Sequence, residues 1–488
     1  MYKKFLDFAI FAVMLRKIRI VVAALCFVCL TLLFVGIGHD WWGWLAKLQF
    51  MPAISRLIGS AVLGNIVVVA GILLLTWLFG RIYCSVLCPL GIFQDSVLWL
   101  RRKPGKHVRP LQKKFKYNKE RRWVRYPVLA LYIACLIVDG QLITAILGPY
   151  STYGRMVTAV VGGGPVPFLI AAGVTFVIMV LCSWVWGRAW CNVICPVGTF
   201  LGCFSKFSLF RVHFDTDKCV KCGACERSCK AACIDSNNQT VDASRCVDCF
   251  DCLESCKFGA LKYGRSRSPE ALPASATAGP ESSSRRQFII TGAALIGAGV
   301  TAAAQEMKVD GGLTHLDAKK PLEREPRLVP PGAGSVRKFY DLCTACQLCV
   351  TNCPNNVLRP STDLSHLLQP QMGYEDGFCR PECTTCSEIC PTGAILPVER
   401  EAKTLIHIGI ATVDAELCLA AKGKAGCGKC ASACPLGAVS MVTVDGVRRP
   451  AINEALCIGC GKCEYLCPSR PVSAITVKGL ETHRRDTV

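Results

Sequence analysis

Long apolar stretches fill much of the first 200 residues, whereas the later part of the chain is polar and rich in cysteine. Four of these stretches approach or exceed the roughly 20 residues that a helix needs to cross a bilayer. They lie at residues 20–37, 59–80, 126–147 and 166–187. The pattern predicts a membrane α-helical bundle of four spans within residues 1–200, in keeping with a mean hydropathy of +0.37.

Basic residues flank these stretches and set an expected orientation. Five Lys and Arg residues lie between Lys3 and Arg19, and twelve lie between Arg101 and Arg125 together with one acid, Glu120. Short basic segments beside membrane spans remain in the cytoplasm, so residues 188–284 are also expected there. Because this placement accounts for much of the net charge of +21, no nucleic-acid partner is expected.

The chain has 34 cysteines, and 24 of them form six runs of four. Such tight grouping is typical of metal ligands and not of a disulfide scaffold, which is usually a short secreted chain. The first two runs have the spacing of bacterial two-cluster ferredoxins, in which the fourth cysteine of each run ligates the other 4Fe–4S cluster. Zinc would favour separated Cys-x2-Cys pairs. The two predicted ligand sets are Cys219, Cys222, Cys225 and Cys256, and Cys246, Cys249, Cys252 and Cys229.

Four further runs occur near the end of the chain, and each keeps a Cys-x2-Cys-x3-Cys-Pro core. Their sixteen thiolates predict four more clusters, about six in total. The spacing leaves open which runs exchange their fourth cysteine. The runs are Cys343, Cys346, Cys349 and Cys353; Cys379, Cys383, Cys386 and Cys390; Cys418, Cys427, Cys430 and Cys434; and Cys457, Cys460, Cys463 and Cys467.

A repeat links the ends of the second and fourth apolar stretches. Residues 80–93 match residues 187–200 at a constant offset, and both copies contain Gly-Arg-x2-Cys-x3-Cys-Pro-x-Gly. Two parallel copies could bring four thiols together as an additional metal centre. Alternatively, each pair is a redox dithiol or a structural feature. The four residues are Cys84, Cys88, Cys191 and Cys195.

A segment rich in Ser, Pro and Ala divides the chain. It predicts a flexible linker at residues 263–283, between a cytoplasmic ferredoxin domain at 201–262 and a signal or anchor at 284–304. Ser-Arg-Arg-x-Phe at residues 284–288 is typical of a twin-arginine export signal, although a fifth span is the alternative. Residues 305–488 would then form a periplasmic four-cluster domain, a separate subunit if cleavage follows Ala304. Both cluster domains are expected to be α+β and bacterial ferredoxin-like.

The membrane stretches, the repeat and the first two cysteine runs resemble the NapH-type membrane ferredoxins. Residues 284–488 resemble the NapG/MauM-type periplasmic ferredoxins, so the whole chain looks like a fusion of the two types. The resemblance implies a quinol dehydrogenase component in the bacterial inner membrane. It would pass electrons from the quinone pool to a periplasmic reductase or cytochrome, as in nitrate-reductase systems.

The expected mechanism is two-electron oxidation of a quinol followed by one-electron transfer through the clusters. Asp139 is a candidate proton acceptor because ionisable residues in spans are costly, and His39 and Asp40 are weaker candidates. One alternative is a conduit that a cytoplasmic ferredoxin reduces without quinol. Another is a maturation factor for a periplasmic metalloenzyme. The absence of Cys-x2-Cys-His and of a Walker loop argues against c-type haem and nucleotide substrates.

Overall fold

A computed structural model describes ten segments of the chain. They comprise residues 2–59, 63–102, 115–137, 141–162, 164–265, 309–310, 314–315, 319–423, 426–444 and 446–486. Asp139, the twin-arginine segment at 284–304 and most of the predicted linker lie outside these residues.

The first part of the chain is helical. Its longest helix, α1, contains no Pro or Gly over 34 residues and ends where Gly36 adopts a φ of 91°. The helices are α1 (Tyr2–Val35), α2 (His39–Lys47), α3 (Phe50–Gly59), α4 (Leu63–Phe79), α5 (Tyr83–Val86), α6 (Pro89–Arg102), α7 (Arg122–Ile137), α8 (Gln141–Leu147), α9 (Pro149–Val161), α10 (Val166–Trp186), α11 (Ala189–Val193) and α12 (Pro196–Ser205).

Two helices in the described part of the chain are long and apolar enough to cross a membrane, Val13–Val35 in α1 and Val166–Trp186 in α10. The prediction of four spans is therefore not confirmed. The second and third predicted stretches form α4 with 17 residues and α7 with 16 residues. At 1.5 Å per residue each rises only about 25 Å, which is less than a hydrocarbon core of about 30 Å.

The first cysteine-rich module, residues 210–265, is a small α+β unit. Its outer strands β1 and β4 pair antiparallel, with Val212 opposite Tyr263. Two short helices lie between these strands in chain order and pack against each other. The elements are β1 (Phe210–Phe214), α13 (Ala224–Ser228), β2 (Ile234–Asp235), β3 (Thr240–Val241), α14 (Asp251–Ser255) and β4 (Leu261–Arg265).

The second module, residues 319–486, is also built from short helices and two-stranded sheets. Its strands pair as β7 with β8, β9 with β12 and β10 with β11. The elements from residue 309 onward are β5 (Val309–Asp310), β6 (Thr314–His315), α15 (Val336–Leu342), α16 (Leu348–Thr351), β7 (Leu358–Pro360), β8 (Pro370–Met372), α17 (Thr385–Ile389), α18 (Arg400–Lys403), β9 (Ile406–Val413), α19 (Lys429–Ala433), β10 (Val439–Val444), β11 (Val447–Ile452), α20 (Lys462–Leu466) and β12 (Ile475–Arg485).

The two modules contact α1 near opposite ends of its apolar part, Val13–Val35. Arg16 Nε lies 3.0 Å from Asp251 Oδ1 of the first module. Seventeen residues along the helix, the carbonyl of Leu33 accepts a 3.1 Å hydrogen bond from Asn352 Nδ2 of the second module. Since 17 residues rise about 26 Å, the two contact points lie about 26 Å apart along the helix axis.

A buried carboxylate joins the helices to the first module. Asp95 on α6 lies 3.0 Å from Arg19 Nη1, 2.8 Å from Arg188 Nη2 and 3.0 Å from Lys230 Nζ. Burial alone would raise the pKa of Asp95, but Arg188, Lys230 and Arg19 together hold that pKa well below its usual range. The carboxylate is therefore charged at all physiological pH values and ties three separate parts of the chain together.

Replacing this carboxylate should destabilise the protein strongly. Asp95→Asn removes the carboxylate that Arg19 and Arg188 pair with and leaves Lys230 with Asp251 alone. Breaking a buried ion pair on one side costs about 3–5 kcal/mol. Thermal unfolding of the purified protein in detergent should show a lower midpoint. Glu254→Gln is the control, because Glu254 pairs with Arg16 at the surface and an exposed pair contributes about 1 kcal/mol or less. Equal effects of both variants would contradict the role of Asp95.

Candidate iron–sulfur sites

The first two cysteine runs cross over in the first module. One pocket is lined by three cysteines of the first run and the last cysteine of the second, which we call quartet A. The loop wraps this pocket because Lys221 and Gly223 adopt positive φ angles of 53° and 67°. Quartet A consists of Cys219, Cys222, Cys225 and Cys256.

The remaining four cysteines of these runs form quartet B. The charges of the other three thiols act directly on Cys252, which places them around one buried site. A fifth thiol, Cys233, lies 3.6 Å from Cys229 and also contacts Cys246, a proximity that the run spacing does not reveal. Quartet B consists of Cys229, Cys246, Cys249 and Cys252.

In the second module, the structure shows which cysteine runs exchange their fourth cysteine, a point that the spacing left open. Three of its pockets each combine three cysteines of one run with the fourth cysteine of a neighbouring run. The four thiols of the remaining quartet lie close enough together to interact electrostatically. The sets are quartet C (Cys343, Cys346, Cys349 and Cys390), quartet D (Cys353, Cys379, Cys383 and Cys386), quartet E (Cys418, Cys427, Cys430 and Cys467) and quartet F (Cys434, Cys457, Cys460 and Cys463).

The donor sets fit clusters better than single ions. Within the ten described segments, no three His, Cys, Asp or Glu side chains are arranged to hold one metal ion. The cysteines of quartets A, D, E and F instead line one pocket for each quartet. Soft thiolates around an enclosed volume are the ligand type that Fe–S clusters use.

The cysteines of the repeat also come together, at what we call the paired-motif site. Each of them is only 4–5% exposed. The charges of Cys84 and Cys191 act on Cys88, and those of Cys191, Cys88 and Cys84 act on Cys195, so the four thiols share one buried environment. The site consists of Cys84, Cys88, Cys191 and Cys195.

The arginines of the repeat hold this site together reciprocally. Arg81 of the first copy donates to the carbonyl of Cys191 in the second copy at 3.2 Å. Arg188 of the second copy donates to the carbonyl of Cys84 in the first copy at 2.9 Å. The two copies are therefore related by a local pseudo-twofold arrangement, and each stabilises the cysteine loop of the other.

The glycine and proline of the motif have structural roles at the same site. A Cβ on Gly91 would overlap the carbonyl oxygen of Cys84, and a Cβ on Gly198 would overlap that of Cys191. Pro196 begins α12, and the sulfur of Cys195 caps that helix by accepting from the Gly198 amide at 3.4 Å. Proline is favoured at the first position of a helix, which explains why it follows the second cysteine.

Polar residues outside the cysteine pattern complete the site. Gln94 Oε1 lies 3.0 Å from the thiol of Cys191. Tyr83 donates to Gln49 Oε1 at 3.0 Å and accepts from the Phe50 amide at 3.0 Å. The sequence patterns did not identify Gln94 or Gln49, because both lie outside any cysteine run.

The sites share one packed interior. A single cluster of buried side chains includes members of quartets A and B, the paired-motif site and quartet C. Tyr83, Tyr150 and Phe34 belong to the same cluster, and the rings of Phe34 and Tyr150 are 5.2 Å apart. No layer of solvent therefore separates the cysteines of the first module from those of quartet C.

The quinol residues predicted from the sequence stay predictions. Asp139 lies outside the described residues. His39 and Asp40 begin α2, just beyond the end of α1 that faces the second module.

Three family matches agree with the cysteine sites. A family described as "4Fe-4S binding domain" matches residues 62–107 and 168–215, which contain both copies of the repeat. Two families described as "4Fe-4S dicluster domain" match residues 425–470 and 242–357. Ferredoxin 4Fe–4S domains are therefore present in the chain.

The curated relatives are ferredoxin-type proteins. The methylamine utilization ferredoxin-type protein MauN of Paracoccus denitrificans is 30% identical over 181 residues, which is 36% of this chain and 55% of the relative. Ferredoxin-type protein NapH of Haemophilus influenzae is 28% identical over 185 residues, or 38% of this chain and 56% of the relative. Ferredoxin-type protein NapF of Escherichia coli is 30% identical over 130 residues, or 26% of this chain and 72% of the relative.

The chain thus spans somewhat more than half of the length of MauN and NapH. No solved structure matches it. These relatives, together with the two long apolar helices, favour a membrane context. The similarity to NapH and MauN, together with the 4Fe–4S domains, supports iron–sulfur electron transfer. Because the match to NapF covers 72% of that protein at 30% identity, the chain belongs to the ferredoxin-type 4Fe–4S proteins.

Proposed function

We propose that the chain is a membrane-bound electron carrier that takes electrons from a quinol and delivers them to a periplasmic reductase or cytochrome. It would combine a NapH-type membrane ferredoxin with a NapG/MauM-type periplasmic ferredoxin. The observation that carries this proposal is the single buried core, which joins cysteines of the first module, the paired-motif site and quartet C.

Six 4Fe–4S clusters would be held by quartets A to F, and a further iron–sulfur centre by the paired-motif site. When bound, these groups supply one-electron redox chemistry. The protein excludes water from them and fixes their ligands. At the paired-motif site, Arg81 and Arg188 also bring buried positive charge close to the four thiolates, which offsets part of the cost of burying anions.

The arrangement of the modules supports a route for electrons across the membrane. The first module contacts α1 at Arg16, and the second contacts it at Leu33. With four spans, the first module would be cytoplasmic and the second periplasmic. An internal twin-arginine segment would allow the second module to be exported after its clusters have been inserted.

The exchange of fourth cysteines can be tested by double substitution. Cys353 lies with quartet D although it belongs to the run of Cys343–Cys349. Cys353→Ala combined with Cys383→Ala should therefore lose no more iron than either change alone, because both affect one cluster. Cys353→Ala combined with Cys346→Ala should lose two clusters, or about eight iron atoms. Iron analysis with EPR checks this, and the reverse order of losses would refute the exchange.

Ligation at the paired-motif site predicts a shared loss of iron. Cys84→Ala and Cys191→Ala should each remove the same centre, so the double variant should lose no additional iron. Both should slow reduction of the second module by electrons that enter at the first by at least tenfold. Cys182→Ala is the control, since Cys182 lies on α10 outside the repeat. Unchanged iron content in both variants would refute metal ligation at the paired-motif site and would leave a redox dithiol or a structural role for its cysteines.

The donor can be tested directly with the full-length protein in liposomes under anaerobic conditions. A short-chain quinol should bleach the visible absorbance of the clusters. Bleaching by reduced ferredoxin but not by quinol would support the conduit alternative instead.

In cells that lack the protein, the partner reductase should still contain its metal and work with artificial donors, whereas a metal-free reductase would indicate a maturation factor.

A further inference from the structure

We infer that a cavity between α1 and α6 is the binding site for the quinol headgroup, an inference that rests on the proposed function and gives it a location. The cavity has a volume of about 400 Å³, within the usual range of small-molecule sites. It lies beside the first module, next to Arg16 of α1.

One wall of the cavity is apolar. Ile20, Ala24 and Phe27 contribute from α1, and Ile92 and Trp99 contribute from α6. Ile20 is 41% exposed and Trp99 is 58% exposed, so the wall continues onto the outer surface of the helices. An isoprenoid chain could therefore leave the cavity along the lipid-facing side of α1.

The end of the cavity next to the first module is polar. Arg16 and Asp251 line it as an ion pair of 3.0 Å, and Lys230 and Asp95 line it as a second pair of 3.0 Å. A quinone carbonyl needs a donor, which Arg16 or Lys230 can supply. A quinol hydroxyl needs an acceptor, which Asp251 or Asp95 can supply.

The balance of charge favours a neutral headgroup over a phosphate. The cations Arg16, Arg19 and Lys230 are already paired with Asp95 and Asp251. A phospholipid headgroup would have to displace these carboxylates and would be repelled by them. A neutral ring with both donors and acceptors can bind beside the pairs without breaking them.

The polar end also adjoins quartet B. Lys230 directly follows Cys229, and Asp251 directly precedes Cys252. A headgroup that contacts either side chain is therefore one residue away from a ligand of that quartet. A short path for electrons from the cavity to quartet B is what a redox substrate needs, whereas a lipid that only fills the cavity does not need it.

The reaction balances with the oxidant that the proposed function supplies. Both O–H bonds of the quinol break and two C=O bonds form, with release of two protons and two electrons. The oxidant would be a 4Fe–4S cluster held by quartet B, which accepts one electron at a time and would pass it on to the other clusters of the proposed function. The protons leave toward solvent at the mouth of the cavity, where Glu254 is 43% exposed beside Arg16.

The test fills the cavity and leaves the clusters intact. Ala24→Phe places a ring in the cavity, whereas Val21→Phe adds a ring to the same helix at a position that is 57% exposed and does not line the cavity. In liposomes, reduction of the clusters by decylubiquinol should fall at least tenfold in Ala24→Phe and should stay unchanged in Val21→Phe. Reduction by dithionite and iron content should be the same in all three proteins, which excludes misfolding.

Each outcome distinguishes the inference from the proposed function. If decylubiquinol reduces the wild type and Ala24→Phe equally well, the quinol binds elsewhere and the cavity assignment is wrong while the function stands. If it reduces neither, although dithionite reduces both, quinol oxidation itself is refuted. If Ala24→Phe loses bound anionic phospholipid by mass spectrometry and keeps its quinol activity, the cavity is a lipid site. Photolabelling of α1 or α6 by an azidoquinone, lost in Ala24→Phe, would support the inference independently.

Discussion

Thiols gathered in fours in the protein interior are the constraint on which this structure depends. In their described residues, the two cysteine-rich modules contain two-stranded sheets and short helices, and many of the buried core positions are cysteines. Such modules bury too little hydrocarbon to fold well without an additional bond. Metal binding supplies that free energy, because a site that does not exist in the unfolded chain couples binding to folding. The exchange of fourth cysteines extends the effect, since each cluster then ties together two runs.

In the proposed function, the membrane part would use the same chemistry for a different purpose. The two modules contact α1 at points about 26 Å apart, and an intermediate redox site would let electrons pass between them. The repeat supplies four thiols between the two, and its arginines cross so that neither copy can form the site alone. An internal duplication is a direct way to build such a site, because each copy provides half of the ligands and the clamp for the other half.

The sequence allowed the local features to be predicted and left the long-range ones open. The spacing of Cys219, Cys222 and Cys225 is a loop property, so the three corners of that quartet follow from the chain itself. The exchange of Cys353 and Cys390 depends on how two runs pack, which spacing does not encode. The contact between Arg81 and Cys191 joins residues 110 positions apart, so the repeat revealed both partners but not their pairing.

The sequence prediction of quinol residues and the proposed cavity start from different features. The prediction favoured ionisable residues near the outer ends of the predicted spans, whereas the cavity collects Asp95, Lys230 and Asp251 from three separate segments beside the first module. This location has an energetic consequence. With the proposed topology, protons remain on the cytoplasmic side while electrons move outward. A membrane potential that is negative inside would favour that movement by about 2.3 kcal/mol per electron for each 100 mV. Electron transfer would then be driven by the potential and would not generate it, which suits a protein that supplies a reductase and does not conserve energy.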